Sequence, residues 1–321
     1  MLSSEPRIPN RNLRPLSGIL LLDKPQGLSS NQALQRAKRI FAASKAGHTG
    51  SLDPMATGLL PVCFGEATKI AGYLLGSRKA YAAQIRLGVT TDTDDAEGNI
   101  VETGNVPPLS IQELESAAAT LRGRIQQMPP VYSALKQAGV PLYKRARRGE
   151  RVEVSAREVE VFRLDIERFE SDRIDVQVEC GSGTYIRSLA RDLGQRLGCG
   201  AHLTALRRLW VSPFVAPAMF DLQSLQERHA QGGDAAIDAL LLPIEAGLVA
   251  LPAVQLDSGQ SSQLRHGQRF QLSLVSSSGL HRALDPTGQL LALVEISGDG
   301  IVSVTRGFNP IQMQVDAIVS K

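Results

Sequence analysis

A chain of 321 residues is about twice the ordinary size of one domain, which predicts a large domain with a smaller companion and excludes a miniprotein held by disulfides. Its 43% hydrophobic content fills a sizeable core and its 21% charged content is that of an ordinary folded protein, so disorder throughout is excluded. The net charge of +3, from 35 basic against 32 acidic side chains, permits a polyanionic partner only where cations cluster locally.

The residues before Gly18 are polar and punctuated by proline, and read as a flexible basic leader over 1–17 without the apolar stretch of a signal peptide. No run approaches the length of a membrane span, so a cytoplasmic protein with no membrane partner is expected. The run GILLLD (18–23) predicts a buried strand. Ser30 is placed to cap a helix in which Ala33, Leu34, Ala37, Ile40 and Phe41 repeat at the helical period. The next stretch, AGHTGSLDPMATGLLPVCFG, holds four glycines and two prolines and reads as one shaped loop. A helix over 66–75 and a strand over 79–88 follow, with Tyr81, Ala83, Ile85 and Leu87 alternating toward a core.

After the acidic turn TDTDDAEGN, a helix is predicted over 110–121, then the proline-rich segment MPPVYSALKQAGVPLYKRARRGE. Its cations Lys136, Lys144, Arg145, Arg147 and Arg148, with Arg151 just beyond, make an exposed basic loop over 128–151. Alternating stretches up to Cys180 predict antiparallel sheet, and GSG (181–183) introduces a helix with Leu189, Leu193 and Leu197 on one face. The strand-like HLTALRRLWV comes next. Beyond Leu251, short alternating stretches separated by Gly, Ser and Pro predict a small β-barrel over 251–315. The fold class is therefore α+β, with a domain over 18–250 carrying the chemistry.

Several constellations could carry chemistry. The acidic turn lacks calcium-loop spacing, because counting from Asp92 the glycine falls seventh and Thr103 stands where the closing glutamate belongs. Cys63, Cys180 and Cys199 form no Cys-x-x-Cys pair and read as reduced thiols, with no metal site. GSGTYI opens like a dinucleotide fingerprint but has Ile186 at the third glycine. Asp53, alone before Pro54, reads equally as a turn former or a catalytic carboxylate, and one acid does not meet the paired requirement of a glycosidase. By themselves His48 is a loop hydrogen-bonding residue, Tyr81 and Tyr185 are core or pocket aromatics, and Arg187 is a partner of a structural carboxylate or of an anion.

Taken together and in order, GILLLDKPQGLSSN, AGHTGSLDPMATGLLPVCFGEATK, KAYAAQIRLGVTTDTDDAEG, QMPPVYSALKQAGVPLYKRARRG, GSGTYIRSLARDLG and GAHLTALRRLWV closely resemble the bacterial TruB family of tRNA pseudouridine synthases. The resemblance implies a pseudouridine synthase fold, with a mixed, largely antiparallel central sheet, flanking helices and a small PUA-like RNA-binding barrel at the C-terminal end. It implies isomerisation of the T-arm uridine at tRNA position 55 by base flipping, without a cofactor, in a monomer needing no protein partner. Asp53 of the G-x-L-D-P loop would be the essential carboxylate, with Arg187 paired to it and keeping it ionised. Tyr81 would stack on the flipped base and assist proton removal. His48, Tyr185 and Leu206 would hold the nucleotide, Lys24 and Pro25 would support the loop, and the basic segment would grip RNA backbone. A related synthase for another RNA, or an RNA-binding or folding factor without chemistry, shares much of this pattern.

Overall fold

The computed structural model describes residues 12–133, 135–137, 140–142, 145, 148, 150, 154–272 and 277–309. In chain order the first half comprises β1 (Gly18–Lys24), α1 (Ser30–Ile40), β2 (Ala46–His48), β3 (Thr57–Phe64), α2 (Ala71–Leu75), β4 (Lys79–Leu87), β5 (Val89–Thr91), β6 (Ile100–Thr103), α3 (Ile111–Ala119) and β7 (Gly123–Gln127). The short pair β8 (Lys136–Gln137) and β9 (Val140–Pro141) precedes β10 (Arg157–Glu170), β11 (Arg173–Cys180), α4 (Ile186–Arg196), β12 (Ala201–Val211) and α5 (Leu222–Asp238). The C-terminal part holds β13 (Ala253–Gln255), α6 (Ser258–Arg265), β14 (Phe270–Gln271), β15 (Gly279–Leu284), β16 (Leu290–Ile296) and β17 (Ile301–Gly307).

The main sheet runs β1-β3-β12-β4-β11-β10-β7, with β2 also on β3, and is antiparallel except where β12 meets β3. The apolar run of β1 is explained by burial on both faces. Leu20 and Leu22 pack with α1 and α5, while Ile19 and Leu21 pack with Leu74, Ile244 and, from β16, Leu290 and Leu293. A third cluster lies under α3 and α4, where Tyr81, Ala83, Ile85 and Leu87 of β4 meet Leu189, Leu193 and Leu114. The C-terminal strands form the small PUA-like sheet in the order β13-β15-β16-β17-β14. It is fastened to the larger part through Leu290 and Leu293 and by Lys69 donating to the Gly307 carbonyl at 2.9 Å.

Three expectations change. The glycine- and proline-rich stretch is not all loop, since residues 57–64 are β3. Pro61 is tolerated there because it falls between the two pairs β3 makes with β12 and the three it makes with β2, so its missing N–H leaves no ladder bond unmade. The Pro61 carbonyl accepts from the Thr49 N–H at 3.1 Å. The helix cap is Ser29, which forms a capping box with Gln32, one residue before the expected Ser30. Order also begins before Gly18: Arg14 bridges to Ala43 and pairs with Asp234 at 3.1 Å. The C-terminal part, expected as strands alone, also holds the helix α6, which Asp257 and Gln260 open with a capping box.

Candidate active site

The loop between β2 and β3 is held at almost every residue. Ser30, freed from capping, accepts from the Leu52 N–H at 2.7 Å and donates to the Leu52 carbonyl at 3.1 Å. Lys24, 0% exposed, donates to the carbonyls of Pro25 (2.9 Å), Leu28 (2.6 Å) and Pro54 (3.3 Å). Burial lowers its pKa to about 8, with Asp53 opposing the fall. Gly50 takes φ +90°, a region open to glycine, and its carbonyl accepts from Arg208 at 3.1 Å. Asp53 is thus presented on an immobilised loop, as a reacting group must be.

Arg187, in the first turn of α4, meets this carboxylate side-on. Its Nε lies 2.9 Å from Asp53 Oδ2 and a terminal nitrogen donates to Asp53 Oδ1 at 3.3 Å. The guanidinium is 4% exposed; its terminal nitrogens donate to the carbonyls of Thr93 and Tyr132, each at 2.9 Å, and pair with Asp95 at 3.3 Å, while Nε makes its ion-pair contact without a hydrogen bond. The Asp53 side chain is 38% exposed and faces the opening. Burial raises its carboxyl above the ordinary value, Arg187 pulls it back, and Asp95 adds to the rise. The pull expected of Arg187 is present, but the net direction is upward. The acidic turn is structural: Asp92 accepts from Asn99, Asp95 from Thr93, and Asp94 from Arg191.

These groups open on a cavity of about 390 Å³, whose lining includes Asp53, Tyr81, Tyr185, Arg187, Leu206 and residues 181–184. Tyr185 precedes α4, and its N–H and carbonyl are both held by the buried Gln127 side chain, at 2.8 and 3.1 Å. The Arg157 guanidinium lies 5.0 Å over the Tyr185 ring. A flat aromatic or apolar surface on several sides and one carboxylate suit an extruded base with its sugar at Asp53.

Profiles of three consecutive regions match the chain: "TruB family pseudouridylate synthase (N terminal domain)" over residues 38–186, "tRNA pseudouridylate synthase B C-terminal domain" over 187–249, and "tRNA Pseudouridine synthase II, C terminal" over 251–305. The chain belongs to the TruB family of pseudouridylate synthases. It is 55% identical over 296 residues to the tRNA pseudouridine synthase B of Xanthomonas axonopodis pv. citri (strain 306), covering 92% of this chain and 95% of that one. It is 51% identical to that of Xylella fastidiosa (strain Temecula1 / ATCC 700964), covering 92% and 97%. Among solved structures, a chain of a Cbf5-Nop10-Gar1 complex is similar with a TM-score of 0.71 at 25% identity, covering 91% of this chain and 85% of that one.

Of the residues singled out in this TruB-family sequence, Asp53, Tyr81, Tyr185, Arg187 and Leu206 meet at one cavity. Lys24, Pro25 and His48 do not line it. His48 lies on β2, partly buried, with Nδ1 lacking a hydrogen-bond partner, and burial and then Arg208 lower its pKa. In the basic segment, Lys144, Arg147 and Arg151 lie outside the described residues, and of Lys136 only the backbone pairing is described. Arg145 donates to Glu150 at 2.6 Å, while the Arg148 side chain is 67% exposed.

Three cations lining the same cavity were missed, Arg157 over the Tyr185 ring, Lys79 and Arg208. Lys79 donates to the carbonyls of Leu75 (3.2 Å) and Ser77 (2.7 Å), and burial lowers its pKa to about 8. Arg208 donates through Nε to the Leu59 carbonyl at 2.6 Å as well as to Gly50. The signal for Lys79 and Arg208 was strand parity. Lys79 shares the parity of Tyr81 and Ala83, and Arg208 that of Leu206, so both are charges on inward-facing positions. Among the described residues no helix is long and apolar enough to cross a membrane.

Proposed function

We propose that this enzyme isomerises the uridine at position 55 in the T-loop of tRNA to pseudouridine. The observation that carries the reading is the Asp53 carboxylate, held in two places by buried Arg187 at a cavity walled by Tyr81, Tyr185 and Leu206. The uridine leaves its stack and enters the cavity, where aromatic and apolar surface replaces the lost stacking. The bond from N1 to ribose C1′ then breaks, the uracil turns, and C5 bonds to C1′. C5 loses its proton and N1 gains one, so the product is an isomer and no co-reactant is consumed. Asp53 supports or traps the electron-poor sugar carbon, and Arg187 fixes the carboxylate while both carboxyl oxygens remain near the opening. Tyr81 packs against the base and assists removal of the C5 proton.

Exposed Arg148 and its neighbours in the basic segment, with the C-terminal sheet, anchor the T-arm backbone, and the shape of the preformed T-loop selects the site. The enzyme acts as a cytoplasmic monomer. Incubation with an unmodified tRNA transcript followed by position-specific mapping tests the reading. Pseudouridine at position 55 is expected, and modification of another position, or none, overturns it.

A further inference from the structure

Among the described residues, Arg208 is the largest side chain that is fully buried, at 1% exposure, and it has no carboxylate partner there. Groups that feel its charge include Lys24, His48 and Lys79, all basic, together with Cys180 and Tyr81, and it shares its cavity with Asp53 and Arg187. A guanidinium taken out of water is costly unless its donors are filled and its charge is used. Two of its donors are taken by the carbonyls of Leu59 and Gly50. Tyr81 stands directly opposite it in the β12–β4 register and lines the same cavity, and there Arg208 opposes the rise that burial imposes on the phenol pKa. Tyr81 is almost fully buried in an apolar cluster, which by itself works against any negative charge on its oxygen. Cys180 offers no alternative role, because burial pushes its thiol up to about 11.

Resting on the reading above, we propose that Arg208 is the positioning residue of Tyr81. The fork that holds Gly50 at the head of the Asp53 loop also faces the cavity beside Tyr81, its partner in the β12–β4 register. The two halves of the pocket, carboxylate and phenol, are therefore registered against each other by one side chain. A phenol oxygen that accepts from Arg208 turns its own proton away from the wall and is better able to carry partial negative charge while the base reacts. Lysine cannot reproduce the planar fork, although it restores the cation.

The test is a double-mutant cycle on the full-length enzyme with unmodified tRNA transcript, read as single-turnover rate and tRNA affinity. Arg208→Gln should slow the rate by about 10²-fold, the size of effect a misplaced reacting group produces, with affinity changed less than about threefold. Arg208→Lys should recover at least about tenfold of that loss. In a Tyr81→Phe background, either Arg208 substitution should add less than about threefold, because the hydroxyl through which it acts is already gone. Fully additive losses, or a loss carried by tRNA affinity, would overturn the proposal. If Arg208→Gln does not fold, the cycle with Arg208→Lys decides by the same additivity criterion. Wild-type product mapping is the internal control: absence of pseudouridine there removes the functional reading itself, whereas a normal wild type with an additive cycle removes only the role of Arg208.

Discussion

Arg187 and Arg208 line one cavity, both are buried, and their company is opposite. Arg187 is set between two carboxylates, Asp53 and Asp95, so its charge is balanced in the resting protein. Arg208 is held by carbonyls, has no carboxylate partner among the described residues, and faces Tyr81 across the β12–β4 register. A balanced guanidinium orients a carboxylate that already exists. An unbalanced one lends its field to charge that develops nearby, and only the latter remains available to a reacting group. The same residue type on the two sides of a pocket thus serves two different electrostatic purposes, decided by what the neighbouring strand or loop supplies.

The comparison is broken most severely from the Arg187 side. Arg187→Ala removes the cation that pairs with both Asp53 and Asp95, and should cost about 3–5 kcal/mol of stability as well as turnover. Chemical denaturation beside a turnover assay checks both. Carbonyl-held cations should behave differently. Lys24 has its pKa depressed to about 8 from 10.5, so between those values the unfolded chain binds more protons than the native one and stability rises with pH. Lys24→Met should flatten that rise, by roughly 3 kcal/mol at most, in denaturation midpoints measured from neutral pH to about pH 10.

A smaller effect is expected from the backbone that carries Arg208. Gly58 has φ +98° and a Cβ there would sit 2.2 Å from the Arg208 carbonyl oxygen, at the single place where β3 and β12 run parallel. Gly58→Ala should destabilise by about 2 kcal/mol and slow turnover by shifting β12, a coupling that thermal melts and single-turnover rates on the same protein would show. The smallest effect belongs to an exposed cation. Arg148→Ala should leave stability within about 0.5 kcal/mol of wild type and lower the slope of log affinity against log salt by about one. Titrations with tRNA across salt concentrations measure it.

Much of this was legible in the sequence because periodicity reports burial. The alternation of Tyr81, Ala83, Ile85 and Leu87 gave β4, and the helical repeat from Ala33 to Phe41 gave α1 with its buried face. Breaker counting failed at β3, since it treats Pro61 as a local interruption whereas the cost of a missing N–H depends on whether a neighbour needs it. Ser29 and Ser30 could not be told apart by sequence, because capping and clamping of Leu52 use the same hydroxyl and differ only in tertiary position. The cavity residues Asp53, Tyr81, Tyr185, Arg187 and Leu206 came from motif resemblance, as their separation along the chain hides their convergence. Lys79 and Arg208 carried their own signal, a charge at an inward parity, which a reading confined to motifs passes over.

The central claim is that Asp53 supplies the reacting carboxylate at this cavity. Asp53→Asn nearly preserves size while removing the charge, so a soluble variant with matched tRNA occupancy isolates the chemistry from folding and binding. A single-turnover assay on unmodified tRNA should show pseudouridine formation slowed by at least roughly 10²-fold with tRNA affinity retained. Near-normal product formation by the Asp53→Asn enzyme would contradict the account and remove Asp53 from the mechanism.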